Sequence, residues 1–335
     1  MLILPVSAES LSETVNHYQN KATELAESIS IQKIGDFLLS NIISHSKELS
    51  KSFFIALSVI VISSLFTVIK SSFKMKSDTF ELITCCVITL IVFSPLTSCF
   101  IKVQEHIESI CGFMTSLIPT CVMLHSASGN SLSAAFMATG TATVISLLQT
   151  IATALTLPLT NAMISVTAVN TICKNTNLSS LSKTLKSICL WITGLSFTLF
   201  TGILSMQSVL QAGADNLTLK GLKFSAAKLI PIAGGLVSES MKAVINSIGF
   251  IKSVTGFSGI IFIIYAVIPP LCFILMTKIY FIILSAFAKT AQSDNISCFL
   301  EAMSGIIDIL LAVLISCSVA LIIILTLFIN STVTL

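Results

Sequence analysis

The residues with chemical potential in this sequence are few, and most of them sit inside long apolar runs. Lys278 and Asp308 are the two charges embedded in hydrophobic stretches. Burying a charge in hydrocarbon costs about 2.5–3.5 kcal/mol on insertion scales, so such residues stand out by default. Position alone favours a modest role: Lys278 snorkels towards an interface, and Asp308, one turn into its helix, reaches the headgroups. A pairing of the two is the transport-like alternative. Glu105, His106 and Glu108 lie together near a span end, but without a helical histidine pair they read as solvated loop residues rather than a metal site. His125, in an uncharged stretch, reads as a hydrogen-bonded membrane histidine, with a proton relay as the alternative. The adjacent Cys85 and Cys86 suit neither zinc nor an ordinary disulfide, and no CxxC pair occurs. The cysteines are expected to act as small apolar packing residues. No Walker loop, GxGxxG, HExxH or GxSxG motif is present. The expectation is a chain with no catalytic residue, no cofactor and no metal.

The elements that carry these residues follow from composition. Hydrophobic residues make up 54% of the 335 positions and charged residues 10%, against about a quarter charged in a soluble domain. Between Ile110 and Cys173 there is no Asp, Glu, Lys or Arg. Within a bilayer the backbone must satisfy its own hydrogen bonds, which favours helices of roughly 20 apolar residues. The runs lack the alternation of a β-barrel. The predicted fold is all-α, a polytopic transmembrane helical bundle with amphipathic interfacial helices. All 18 basic residues are lysine and the net charge is +3, so no nucleic-acid surface is expected.

Four regions emerge along the chain. Residues 1–51 form an amphipathic N-terminal segment, with one stripe through Leu11, Val15, Tyr18, Ala22, Leu25 and Ile29 and a second through Ile34, Leu38 and Ile42. Val6-Ser7-Ala8 resembles the end of a secretory signal, which places the expected true start upstream. Residues 52–210 hold transmembrane helices: Phe53–Ile69, Leu82–Ile101, the uncharged block 110–173 and Ser187–Leu210. The block breaks at Ser126–Asn130 and near Pro158, leaving room for three crossings. Its Ala134, Ala138, Ala142 and Ser146 recur every fourth residue, a helix-packing signal. Residues 211–256 are amphipathic, with an apolar seam from Val237 to Ile251 and Glu239 and Lys242 facing away. Residues 257–335 hold the C-terminal spans, the first interrupted at Pro269-Pro270. That interruption predicts either a bent span with a re-entrant piece or two short crossings.

Lysine bias sets orientation. The loops 70–81 and 174–187 each carry three basic residues within or at their edges, which places both in the cytoplasm and the N-terminal segment outside. An odd number of crossings must then join residue 109 to residue 174.

The run G-L-K-F-S-A-A-K-L-I-P-I-A-G-G-L-V-S-E-S, Gly221 to Ser240, carries a recognisable signature. It is followed by I-K-S-V-T-G-F-S-G, Ile251 to Gly259, and I-S-C-F-L-E-A-M-S-G, Ile296 to Gly305. Together these resemble the stage III sporulation protein AE family of endospore-forming bacteria, with matching positions Lys228, Pro231, Gly234, Ser238, Glu239, Lys252 and Gly256. Glu239 stands where the family usually has aspartate. The resemblance implies a subunit of the channel or secretion-like complex joining mother cell and forespore, in the mother-cell membrane around the forespore. Its implied partners are the other membrane proteins of that complex and the lipid bilayer, with a homo-oligomer as a further possibility. Glu239 and Lys242 are the candidate partner contacts. The competing reading is a stand-alone membrane transporter or permease.

Overall fold

The computed structural model describes residues 31–73, 79–127, 131–172, 180–203 and 234–330, with the backbone alone for 31–34, 67–73, 79, 81, 125, 127, 131–133, 136–137, 234–253 and 328–330. The N-terminal stripe from Leu11 to Ile29 lies outside them. Among the described residues the regular structure is entirely helical. Helix α1 spans Ile31–Phe73, α2 Thr79–Ala127 and α3 Ser131–Thr150. A π-helical segment, Ile151–Thr156, joins α3 to α4, Leu157–Ile172. Helix α5 covers Ser180–Ile203, α6 Gly234–Thr290 and α7 Asp294–Asn330. Six of these stretches are long and apolar enough to cross a membrane: Gly35–Phe66, Leu82–Leu124, Ala138–Ile172, Ser180–Ile203, Val254–Thr290 and Asp294–Leu327. The chain is a multi-pass membrane protein with an all-α bundle fold.

Several expected breaks are absent. Helix α1 runs through residue 52 unbroken, so the stripe of Ile34, Leu38 and Ile42 is the first part of a span. Helix α2 continues through Pro95 and Pro119 for 49 residues, about 73 Å at ~1.5 Å per residue. The uncharged block therefore contains the end of one crossing and one further crossing, rather than three. Near Pro158 the chain does not turn. One wide π-turn absorbs the change in hydrogen-bond register, and Thr156 Oγ1 donates to Ile151 O at 3.1 Å within it. Helix α6 likewise passes through Pro269-Pro270 as one span, with neither a re-entrant piece nor two short crossings. Proline is tolerated in such helices where neighbouring groups meet the carbonyls it frees. The segment Ile296–Gly305 lies in the opening turns of α7, continuous with the last span.

Ring and side-chain contacts fix the directions of the helices. Phe37 meets Tyr265, His45 meets Phe273 and Phe53 meets Tyr280, with centroids 5.4, 5.1 and 5.7 Å apart. The partner advances along α6 as the residue advances along α1, so the two helices run parallel. Helix α2 opposes them: its Lys102 lies over Phe273, and Phe113 lies 4.1 Å from Phe262. Helix α7 folds back on α6 through a turn closed by Ser293 N–H donating to Ala288 O at 3.0 Å. Gln292, at φ 56°, takes the left-handed conformation there. Helices α4 and α5 are tied by a 3.0 Å contact between Thr167 Oγ1 and Ser182 Oγ. The start of α5 shares a cleft with the end of α4 and the start of α7.

The six spans thus alternate in direction. Phe73, Thr79, Ile172, Ser180, Thr290 and Asp294 lie at one end of the bundle, and Ala127, Ser131, Ile203 and Gly234 at the other. The end of α1 and the start of α5 share a side, because a single crossing separates the end of α2 from the start of α5. Lys183 and Lys186, expected in a loop, lie in the opening turns of α5, whose span runs Ser180–Ile203 instead of Ser187–Leu210.

Helix α7 is the most buried span. Its Ile306, Ile307, Leu310, Leu314 and Leu321 are fully enclosed, at about a helical repeat. Gly259 lets α6 approach it closely. A Cβ there would meet Leu325 Cδ1 at 2.9 Å. Hydroxyls within the spans satisfy themselves locally: Thr84, Thr89 and Thr277 each donate to the carbonyl four residues earlier, at 2.8–2.9 Å. The buried cysteines Cys99, Cys111, Cys189, Cys272 and Cys317 pack among apolar side chains. In α3 the inward face is Ala134, Thr141, Val144 and Leu148, following the 3.6-residue period. Ala142 and Ser146 of the every-fourth-residue stripe rotate outwards and are exposed.

Candidate functional site

Several ionisable side chains within the spans gather along the seam of α1, α2, α6 and α7. Lys278 of α6 donates to Asp308 Oδ1 of α7 at 2.5 Å, with the two side chains 31% and 41% exposed. The antiparallel hairpin puts them at the same height. Neither side chain snorkels alone, as position in the sequence had favoured. Each charge is compensated by the other, which lowers the cost of holding both inside the span.

About one and a half turns back along α6, Phe273 lies between two polar side chains of other helices. Lys102 Nζ of α2 stands over the ring at 4.2 Å, and the His45 ring of α1 meets it edge-on at 5.1 Å. Glu48 connects them, 3.6 Å from His45 Nδ1 and 3.8 Å from Lys102 Nζ. The cation is therefore held by a carboxylate and by an aromatic face together. Parallel alignment of α1 with α6, and opposition by α2, makes this meeting possible. His45 shares the face of α1 that packs on α6 with Phe37 and Leu49 at helical spacing, whereas Ile42 of the expected stripe is exposed.

His106, one turn beyond Lys102, is buried rather than in a solvated loop, with only 5% of its surface accessible. Its Nε2 lies 3.0 Å from Ser318 Oγ of α7. The ring also engages the backbone of Ala266. Pro270 has no N–H to offer the Ala266 carbonyl four residues earlier, and His106 of another helix stands beside that stretch of backbone. Glu105 and Glu108, on the same turn, point outwards, and Gln104 donates to Glu108 Oε1 at 2.9 Å. The three residues Glu105, His106 and Glu108 thus separate onto two faces of one helix. Among the described residues no group of three or more His, Cys, Asp or Glu side chains is placed to hold a metal ion.

Of the signature positions, Gly256 is buried in α6. Lys228 and Pro231 lie outside the described residues. Gly234, Ser238, Glu239, Lys242 and Lys252 belong to the helical backbone of α6, and their side chains lie outside the description. The backbone shows that the Glu239 and Lys242 segment is continuous with the membrane-spanning part of α6 as one helix. His125 falls near the end of α2, its side chain also outside the described set.

The arrangement is one of internally compensated charge on a helical membrane bundle. The stage III sporulation protein AE of Bacillus subtilis (strain 168) is similar to this chain, 25% identical over 177 residues. The similar region covers 52% of this chain and 44% of that relative, less than half its length. No solved structure matches the chain. The stage III sporulation protein AE family model matches residues 10–332, nearly the whole sequence. The chain belongs to the stage III sporulation protein AE family.

Proposed function

We propose that this protein is a non-enzymatic membrane subunit of the channel or secretion-like complex that joins mother cell and forespore during endospore development. It resides in the mother-cell membrane around the forespore and assembles with other stage III membrane proteins. The observation that carries this reading is the family match across residues 10–332 on a six-span bundle. Supporting it, α6 runs for 57 residues, about 85 Å at ~1.5 Å per residue, far longer than one crossing of roughly 30 Å. It carries Glu239 and Lys242 near its start on the same continuous helix. A rigid projection of that kind suits a contact surface for neighbouring subunits. Affinity purification of the tagged chain from sporulating cells tests the proposal. Co-purification of other sporulation membrane proteins is expected, and recovery of this chain alone would overturn it.

The Lys278–Asp308 pair favours a second reading, a stand-alone transporter, because paired charges between adjacent spans suit a gated ion or proton path. Reconstitution into vesicles separates the two readings. Ion or solute flux by the purified chain alone supports the transporter.

A further inference from the structure

At the end of the bundle that carries the lysine-rich segments, the last turns of α4, the first turns of α5 and the first turns of α7 enclose a cleft of about 510 Å³. That volume lies within the range of small-ligand sites. Its chemistry differs from that of the apolar bundle around it. Lys183 and Lys186 line it from one turn of α5, with the amides of Asn170 and Asn295 on the flanking helices. Glu301 is the carboxylate on its wall, and it accepts from Ser285 at 3.4 Å. Two ammonium groups against one carboxylate leave the cleft with a net positive charge. Phe299 supplies an apolar surface beside them.

The position of the cleft narrows the choice of ligand. The apolar spans of α4, α5 and α7 end or begin here, at Ile172, Ser180 and Asp294, so the cleft sits where the hydrocarbon gives way to headgroups. A basic pocket between spans at that depth meets phospholipid phosphates first. Gly305 adds a further point. A Cβ at this position would come within 2.8 Å of Lys186 Nζ. The absence of a side chain there lets the ammonium rest against α7 and face the cleft, instead of being pushed aside.

We propose that this cleft is a binding site for a phosphate monoanion, carried on the headgroup of an anionic phospholipid and held by Lys183 and Lys186. The proposal is independent of the subunit's role in any larger complex. The test uses the full chain purified in neutral detergent, with native mass spectrometry and thermal unfolding after addition of phosphatidylglycerol, phosphatidylcholine or inorganic phosphate. Wild type should retain phosphatidylglycerol through detergent exchange and unfold several degrees higher with it than with phosphatidylcholine. The double variant Lys183→Gln/Lys186→Gln should lose most of that retention, at least tenfold, while unfolding as wild type does in phosphatidylcholine. Lys183→Arg/Lys186→Arg should keep it, and Lys289→Gln, a lysine outside the cleft, should behave as wild type. Stabilisation by inorganic phosphate alone, lost in the glutamine variant, would assign the site to free phosphate of the same chemistry. Equal retention of both lipids by wild type would overturn the proposal. So would undiminished phosphatidylglycerol retention in the glutamine variant, or equal loss in Lys289→Gln. If the glutamine variant fails to fold, loss of retention in a folded Gly305→Leu protein, whose side chain displaces Lys186, supports the site, and full retention there overturns it.

Discussion

His106 Nε2 lies 3.0 Å from Ser318 Oγ in the buried seam between α2 and α7, while the same ring engages the backbone of Ala266 on α6. One side chain therefore links three helices at the level of the Pro269-Pro270 pair. Pro269 and Pro270 lack the N–H groups that would meet the carbonyls of Tyr265 and Ala266, and polar side chains of neighbouring helices stand at this level of the bundle.

Replacing His106 with alanine should destabilise the purified protein by about 1–3 kcal/mol, the cost of leaving buried polar groups unmet. Ser318→Ala should cost less, about 1 kcal/mol, because the hydroxyl also donates to Leu314 O at 2.8 Å. Thermal unfolding of both single variants and the double variant gives the coupling between them. Strict additivity would show that the contact contributes nothing.

For Lys278 and Asp308, neutralising one partner leaves the other charge uncompensated in a span. Lys278→Met or Asp308→Asn should lower membrane protein level, at a cost of about 2 kcal/mol. That is below the ~3–5 of a fully enclosed pair, because both side chains keep partial exposure. Exchange of the two charges should recover most of the loss. Protein level and spore formation are measured together. Normal levels and sporulation in both single variants would show that the pair is dispensable, whereas abolished sporulation at normal level, restored by exchange, favours the transporter reading.

At Gly259, valine should destabilise the α6–α7 contact by about 1–3 kcal/mol through overpacking, since even a Cβ would meet Leu325. Leu325→Ala in the same chain should return part of that stability. No recovery in the double variant would place the strain elsewhere.

The alternating spans put Phe73, Thr79, Ile172, Ser180, Thr290 and Asp294 on one side, and lysine bias makes that side cytoplasmic. In a background with the native cysteines replaced, Lys76→Cys, Asn177→Cys and Gln292→Cys should resist a membrane-impermeant thiol reagent in intact cells. Gly129→Cys should react. Ready labelling of the first three would reverse the orientation.

Alanine at both Glu239 and Lys242 should reduce recovery of partner proteins without lowering membrane insertion. A pull-down with protein level measured alongside decides it. Unchanged partner recovery and sporulation would remove this surface and direct attention to the N-terminal segment.

Apolar run length and charge placement were enough to establish a helical membrane bundle, because hydrocarbon permits little else and the backbone requirement is local. The break at Ser126–Asn130 and the shared side of the two lysine-rich segments rest on the same local physics. The signature residues likewise pointed to the family from sequence alone. Tertiary structure decided what the prolines do, since a proline ends or merely dents a helix according to whether a neighbour meets the freed carbonyl. No spacing along the chain places His106 beside Ala266. It also decided the fate of the charges. Lys278 and Asp308 are 30 residues apart, and only the antiparallel return of α7 on α6 sets them at one height. Lys102, Glu48 and His45 meet at Phe273 for a similar reason: α1 lies parallel to a helix that follows it by more than 200 residues. Side-chain partnership of that kind depends on which helices become neighbours, and a sequence read by local periodicity carries no record of it.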